Sequence, residues 1–135
     1  MSLFNFGWVF GAALLLSGCG GGQEEPPPDT QAPKVLSTVP AADAVGVAVD
    51  AKVIITFDED IERTSLNADL FYLTLDAQPR FGNVSYDQTR HEATLVMISA
   101  FDRGATYQAV LEAGVRDLAG NRMAEATRWS FTVQP

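Results

Sequence analysis

Arg128-Trp129-Ser130-Phe131-Thr132-Val133 alternates polar and large apolar side chains at every step. A two-residue period of this kind belongs to a strand with one buried face. Working outward, Phe71-Tyr72-Leu73-Thr74-Leu75 alternates in the same way. Lys52 to Phe57 sets Val53, Ile55 and Phe57 on one face, with Ile54 on the other. Lys34 to Val39 is closed by Pro40, and Gly82 to Tyr86, Ala93 to Ile98 and Thr106 to Leu111 read as further strands. Turn signals separate them at Ala41 to Gly46, Asp76 to Arg80, Asp87 to Arg90, Asp102 to Gly104 and Asp117 to Asn121. Only Ile61 to Asp69 lacks a strand pattern, and one short helical turn is expected there. About seven short strands with no long amphipathic helix predict an all-β, antiparallel β-sandwich over residues 33–135.

The start of the chain has a different character. Leu3 to Leu16 is an apolar run that meets Ser17-Gly18-Cys19, the layout of an export signal ending at small residues. Leu16-Ser17-Gly18-Cys19 resembles the lipobox of bacterial lipoproteins. That resemblance implies a signal peptide over residues 1–18, diacylglyceryl transfer to the Cys19 sulfur, cleavage before Cys19 and acylation of the new amino group. A spanning helix needs about 20 apolar residues, whereas this run has about 14 before Gly20-Gly21-Gly22 breaks it. A plain hydrophobic anchor and a secreted form with a free thiol are the alternatives. Residues 19–32 read as a linker, flexible at the three glycines and stiffened by Pro26-Pro27-Pro28. Fully extended, Cys19 to Pro33 spans at most roughly 45–50 Å. The residue after Cys19 is glycine rather than aspartate. In Gram-negative lipoproteins this implies sorting to the outer membrane.

Charge narrows the partners. The 135 residues hold 9 basic and 17 acidic side chains, a formal net charge of −8, and none of these lies in residues 1–18. Nucleic acid and anionic bilayer surfaces favour basic patches, so neither is an expected partner. Cys19 is the single cysteine. Acylation accounts for it, and no intrachain disulfide can form.

In order along the chain stand Asp29-Thr30-Gln31-Ala32-Pro33, Pro40 to Val47, Ile54-Ile55-Thr56-Phe57-Asp58-Glu59 and Val84-Ser85-Tyr86-Asp87. Gly104-Ala105-Thr106-Tyr107, Asp117-Leu118-Ala119-Gly120-Asn121 and Trp129-Ser130-Phe131-Thr132 follow. Together these stretches, over about residues 29 to 134, resemble a bacterial Ig-like domain of the type known from surface-layer proteins. The resemblance implies an Ig-like sandwich and a non-enzymatic structural or spacing module of envelope and secreted proteins. It also places Tyr107 at the start of a strand where a tyrosine corner ties the ring hydroxyl to backbone.

The chemistry on offer is thin. His91 is the only histidine, and a Ser85/His91/Asp87 set would be crowded along one hairpin. Solvated turn polarity is the expected reading, and no catalytic residue is assigned. No His/Cys spacing matches zinc. Periplasmic copper carriers share the sandwich shape and use several histidines and a methionine-rich stretch. Beyond the signal segment this chain has His91, Met97 and Met123, so copper is not expected, nor is any cofactor. Asp58-Glu59-Asp60 with Glu62 offers the hard oxygen donors calcium takes, without the spacing of a dedicated loop. An exposed strand end is expected there. Asp117 to Asn121 resembles a loop that, in some calcium-dependent Ig-like arrays, joins an aspartate near the start of the domain. Here that aspartate would be Asp29, helped by Asp58 or Asp60. The same five residues also satisfy a turn unaided, since Asp117 can accept bonds from its own backbone and Gly120 tolerates positive φ. The turn is the expected role, with calcium at Asp29, Asp58, Asp60 and Asp117 as the alternative. Tyr72, Phe81 and Phe101 form either a ligand face or core, and at least two of the three are expected in the core.

The sequence therefore predicts an envelope lipoprotein attached to the membrane, expected to be the outer membrane, through a lipid anchor at Cys19. Its single domain would contact another envelope protein or a polysaccharide, with small-ligand or calcium binding as the alternative.

Overall fold

A computed structural model describes residues 28–135. The expected signal segment, Cys19 and most of the linker lie outside the described residues. Within them, alternating side chains build nine strands. They are β1 (Val35–Val39), β2 (Ala44–Val47), β3 (Val53–Phe57), β4 (Phe71–Leu75) and β5 (Gln78–Arg80). β6 (Gly82–Asp87), β7 (Glu92–Met97), β8 (Thr106–Leu111) and β9 (Thr127–Val133) complete the set. The segment without a strand pattern holds a single 3-10 turn, Arg63–Ser65.

The strands form two sheets, in the orders β2-β9-β8-β4-β5 and β1-β3-β7-β6. All neighbours are antiparallel except β2 and β9, which run parallel through Phe131↔Ala44 and Val133↔Val47. Between β1 and β2 the chain crosses from one sheet to the other, through a cis Val39–Pro40 bond.

The inward faces follow the period. Val53, Ile55 and Phe57 of β3 meet Phe71 and Leu73 of β4, Ala93 and Leu95 of β7, and Trp129, Phe131 and Val133 of β9 in one core. Burying an aromatic or branched side chain of this size stabilises by about 1.5–3 kcal/mol. The Trp129 indole N–H donates to the Pro40 carbonyl at 2.9 Å, so the crossover is tied to the core. Tyr107 packs on Phe101 and Phe131 with ring centroids 4.9 and 5.9 Å away.

Two strands fall where turns were expected. β2 lies inside Ala41 to Gly46 plus one residue, and β5 inside Asp76 to Arg80. The Asp76-Ala77 loop joins β4 to β5 with both residues at positive φ, 52° and 65°. That is the backbone of a two-residue primed hairpin turn, which Asn-Gly or Asp-Gly usually marks. Asp-Ala does not advertise it.

Candidate functional site

Following β3 past Phe57 leads to the end of the sandwich where residue 29 joins the body. The two-residue period that buries Val53, Ile55 and Phe57 continues through Glu59, which is half-buried, to Ile61, which is buried. Asp117 approaches from the loop after β8, where Ile61 and Asp117 form an isolated bridge. Asp29 closes the group from the N-terminal side. One carboxylate oxygen from each of Asp29, Glu59 and Asp117 lies within 4.8 Å of the other two.

Asn121 holds this arrangement together. Its backbone N–H donates to Asp117 Oδ1 at 2.8 Å, and its side-chain Nδ2 donates to Asp117 Oδ2 at 2.9 Å. Nδ2 also donates to the Asp29 carbonyl at 2.9 Å. Asp117 is only 2 % exposed, yet its pKa is lowered. Burial would raise it, but bonds from the Asn121 side chain and backbone, from Asp29 and from the Ala119 backbone prevail. Glu59 is pushed up to about 7, chiefly by burial and then by the charges of Asp29 and Asp117. A bond to Asp29 and the charge of Asp58 add to this. Near neutral pH Glu59 is therefore poised between its protonated and ionised forms. The same oxygens are the donor class a hard divalent cation takes.

Asp58 and Asp60 point elsewhere. Asp58 Oδ1 accepts the Lys34 N–H at 2.9 Å. Asp60 accepts the Tyr86 hydroxyl at 2.7 Å, the Ile61 N–H at 2.9 Å and the Gln88 amide at 2.7 Å. Burial opposes ionisation of Asp60, but the bonds from Tyr86, Gln88 and Ile61 and the nearby His91 lower its pKa. Tyr86 is correspondingly pushed up to about 12 by burial and by its bond to Asp60. Asp60 thus fastens β6 to the start of the following loop. The carboxylate that joins Asp29 and Asp117 is Glu59, and the continued alternation of β3 was the signal for it.

A second locus lies on the outer face of the five-stranded sheet. Cross-strand register aligns Tyr72, Val110 and Arg128 in one row and Thr74, Gln108 and Ser130 in the next. Phe81 stacks at an angle on Tyr72, ring centroids 5.6 Å apart. Of the three aromatics expected mainly in the core, only Phe101 is buried. Tyr72 is half-buried and Phe81 is 51 % exposed. The expectation of two core members fails because Tyr72 occupies the outward parity of β4 and Phe81 the edge beyond β5.

A model of the bacterial Ig-like domain matches residues 29–133, and the two-sheet topology agrees with it. The chain belongs to the bacterial Ig-like domain family. Among solved structures, this Ig-like domain resembles the S-layer protein rSbsC(31-844), with 20 % identity and a TM-score of 0.58. The match covers 77 % of this chain and 14 % of that one. The N-terminal part of SbsC gives 21 % identity and a TM-score of 0.57, covering 77 % of this chain and 24 % of that one. CopC from Methylosinus trichosporium OB3b gives 16 % identity and a TM-score of 0.63, covering 76 % and 94 %. These likenesses concern the fold. No curated protein sequence matches the chain.

The remaining residues of the Ig-like domain fall into place individually. Asp87 Oδ1 accepts the Thr89 and Arg90 N–H groups at 2.9 and 3.2 Å, which makes it a turn cap. Among the described residues no hydrogen bond links His91 to Ser85 or Asp87. Met97 ends β7 at the opposite end of the sandwich from His91, and Met123 is buried in the core. Tyr107 makes the expected corner: its hydroxyl accepts the Asp102 N–H at 2.9 Å.

Proposed function

We propose that this chain is a membrane-anchored envelope lipoprotein whose Ig-like domain serves as a non-catalytic structural or interaction module. The observation that carries the reading is positional. The family match begins at Asp29, a short Gly/Pro-rich linker away from Leu16-Ser17-Gly18-Cys19. A lipid on Cys19 would hold the domain by the end where Asn121 grips the Asp29 carbonyl. Likeness to S-layer domains supports a place in the envelope, and the glycine after Cys19 favours the outer membrane, with a protein or polysaccharide as partner.

One acyl chain binds a membrane only marginally, whereas two or more make attachment stable. Changing Cys19 to Ser should move the protein into the soluble fraction and abolish lipid labelling. A variant that stays membrane-bound would replace lipidation by the apolar run as anchor.

A second reading, a binder of calcium, draws on the convergence of Asp29, Glu59 and Asp117. Melting with calcium and with chelator distinguishes it from a purely structural turn.

A further inference from the structure

The outer face of the five-stranded sheet is built in a way the fold does not require. Val110 points outward from β8, opposite Tyr72 and Arg128. It is nevertheless only 2 % exposed and lies apart from the core cluster. Its neighbours roof it. The Tyr72 hydroxyl donates to Glu112 Oε2 at 2.7 Å, and Arg128 reaches Glu112 Oε1 at 3.5 Å. The Tyr72 ring is therefore held in place over the sheet, with the exposed Phe81 ring against it.

Beside this aromatic pair runs the row Thr74, Gln108 and Ser130. Among the described residues their side chains have no hydrogen-bond partner, whereas the Thr106 and Thr132 hydroxyls further along satisfy each other at 3.0 Å. Thr74, Gln108 and Ser130 line a depression of about 320 Å³ together with Asp76 and Ala77, at the lower end of the range for ligand sites. Hydroxyl and amide groups both donate and accept, as sugar hydroxyls do. Aromatic faces offer apolar area at low entropic cost.

Charge selects among ligands. The chain carries a net −8, yet the one cation in these two rows, Arg128, is paired with Glu112. Among the described residues of these two rows an anionic polymer finds no unpaired cation, since Arg80 beside Phe81 pairs with Leu73 on the other parity, and a cationic polymer finds only Asp76 at the margin. Resting on the interaction-module reading above, we propose that this face docks a neutral polysaccharide. The sugar rings would stack on Tyr72 and Phe81, and Thr74, Gln108 and Ser130 would bond their hydroxyls.

The test is electrophoresis of the full chain, in detergent, through native gels containing hydroxyethylcellulose, galactomannan or, as anionic control, polygalacturonate. At least one neutral polymer should retard the protein and polygalacturonate should not. Phe81→Ala and Gln108→Ala, both at exposed positions, should weaken retardation at least about tenfold, as loss of a central contact does, while keeping the wild-type melting temperature. Mobility unchanged in both neutral gels would overturn the proposal. So would retardation that survives both substitutions, or that only polygalacturonate produces. Membrane fractionation of the same preparations reads the anchoring separately, so the face can fail while the lipoprotein reading stands.

Discussion

Tyr107 shows how a single hydroxyl closes a strand junction. Its ring is buried between Phe101 and Phe131, while its oxygen accepts the Asp102 N–H five residues upstream. Tyr107→Phe keeps the packing and strips that N–H of its acceptor. A hydrogen bond of this kind contributes about 0.5–1.5 kcal/mol net, so the variant should unfold at a lower urea concentration by an amount equivalent to about 1 kcal/mol. An unchanged midpoint would remove the corner from the account of stability. Glu59 makes a prediction in pH. Its folded pKa is raised from 4.5 to about 7, first by burial and then by Asp29 and Asp117. The folded state therefore holds a proton that the unfolded state releases, and stability falls as pH rises between about 4.5 and 7. The contribution is complete below 4.5 and gone above about 7. Thermal melts should rise on acidification from pH 8 to pH 5, and Glu59→Gln should flatten that rise. Asp117 and Asp60 have lowered values, so their stabilisation is lost only at lower pH and leaves this window to Glu59.

At the scale of elements, the sequence was legible wherever a strand had one buried face. The alternations of β3, β4, β8 and β9 located those strands to within a residue. β2 and β5 were not legible, because neither prints a two-residue period: the core contacts of β2, Ala44 and Val47, lie three residues apart, and β5 turns no residue to the core. β5 is exposed throughout and carries Pro79, tolerated because it lies on a sheet edge. β2 is short, carries Gly46 at positive φ and is recruited by a parallel pairing to β9 that no local pattern encodes. The candidate site divides in the same way. Asp29 and Asp117 were readable from their loops, whereas Glu59 was hidden by its equally acidic neighbours until the β3 parity was extended. Gly82 was not singled out at all, yet it sits at the start of β6 where a Cβ would collide with the Val96 carbonyl oxygen of β7. The Met97 sulfur would also lie at 3.0 Å. Gly82→Ala should then push the edge strand outward and destabilise by about 1–3 kcal/mol, the usual range for overpacking. Calorimetry against wild type reads this, and an equal melting temperature would mean that the edge yields freely.

For the whole molecule the question is what joins the N-terminal segment to the sandwich. Asp29 is exposed and Asp117 buried, and Asn121 bonds both. As a turn, the Asp117 loop is already satisfied. Asp117 accepts the Asn121 N–H and side-chain amide, the Gly120 N–H reaches the Asp117 carbonyl at 3.1 Å, and Gly120 takes φ 92°. As a cation site, it would have to compete with protonation of Glu59, whose pKa is raised to about 7. The turn role predicts that Asp117→Ala destabilises by about 0.5–2 kcal/mol, as loss of a local cap does, and by the same amount in calcium and in chelator. Binding to the folded state alone would instead raise the wild-type melting temperature with calcium concentration. A rise of several degrees at millimolar calcium that vanishes in both Asp117→Ala and Glu59→Gln would assign the cluster to the ion. Asp58→Ala is the control: its carboxylate serves the Lys34 N–H and lies outside the group, so it should leave any calcium response intact.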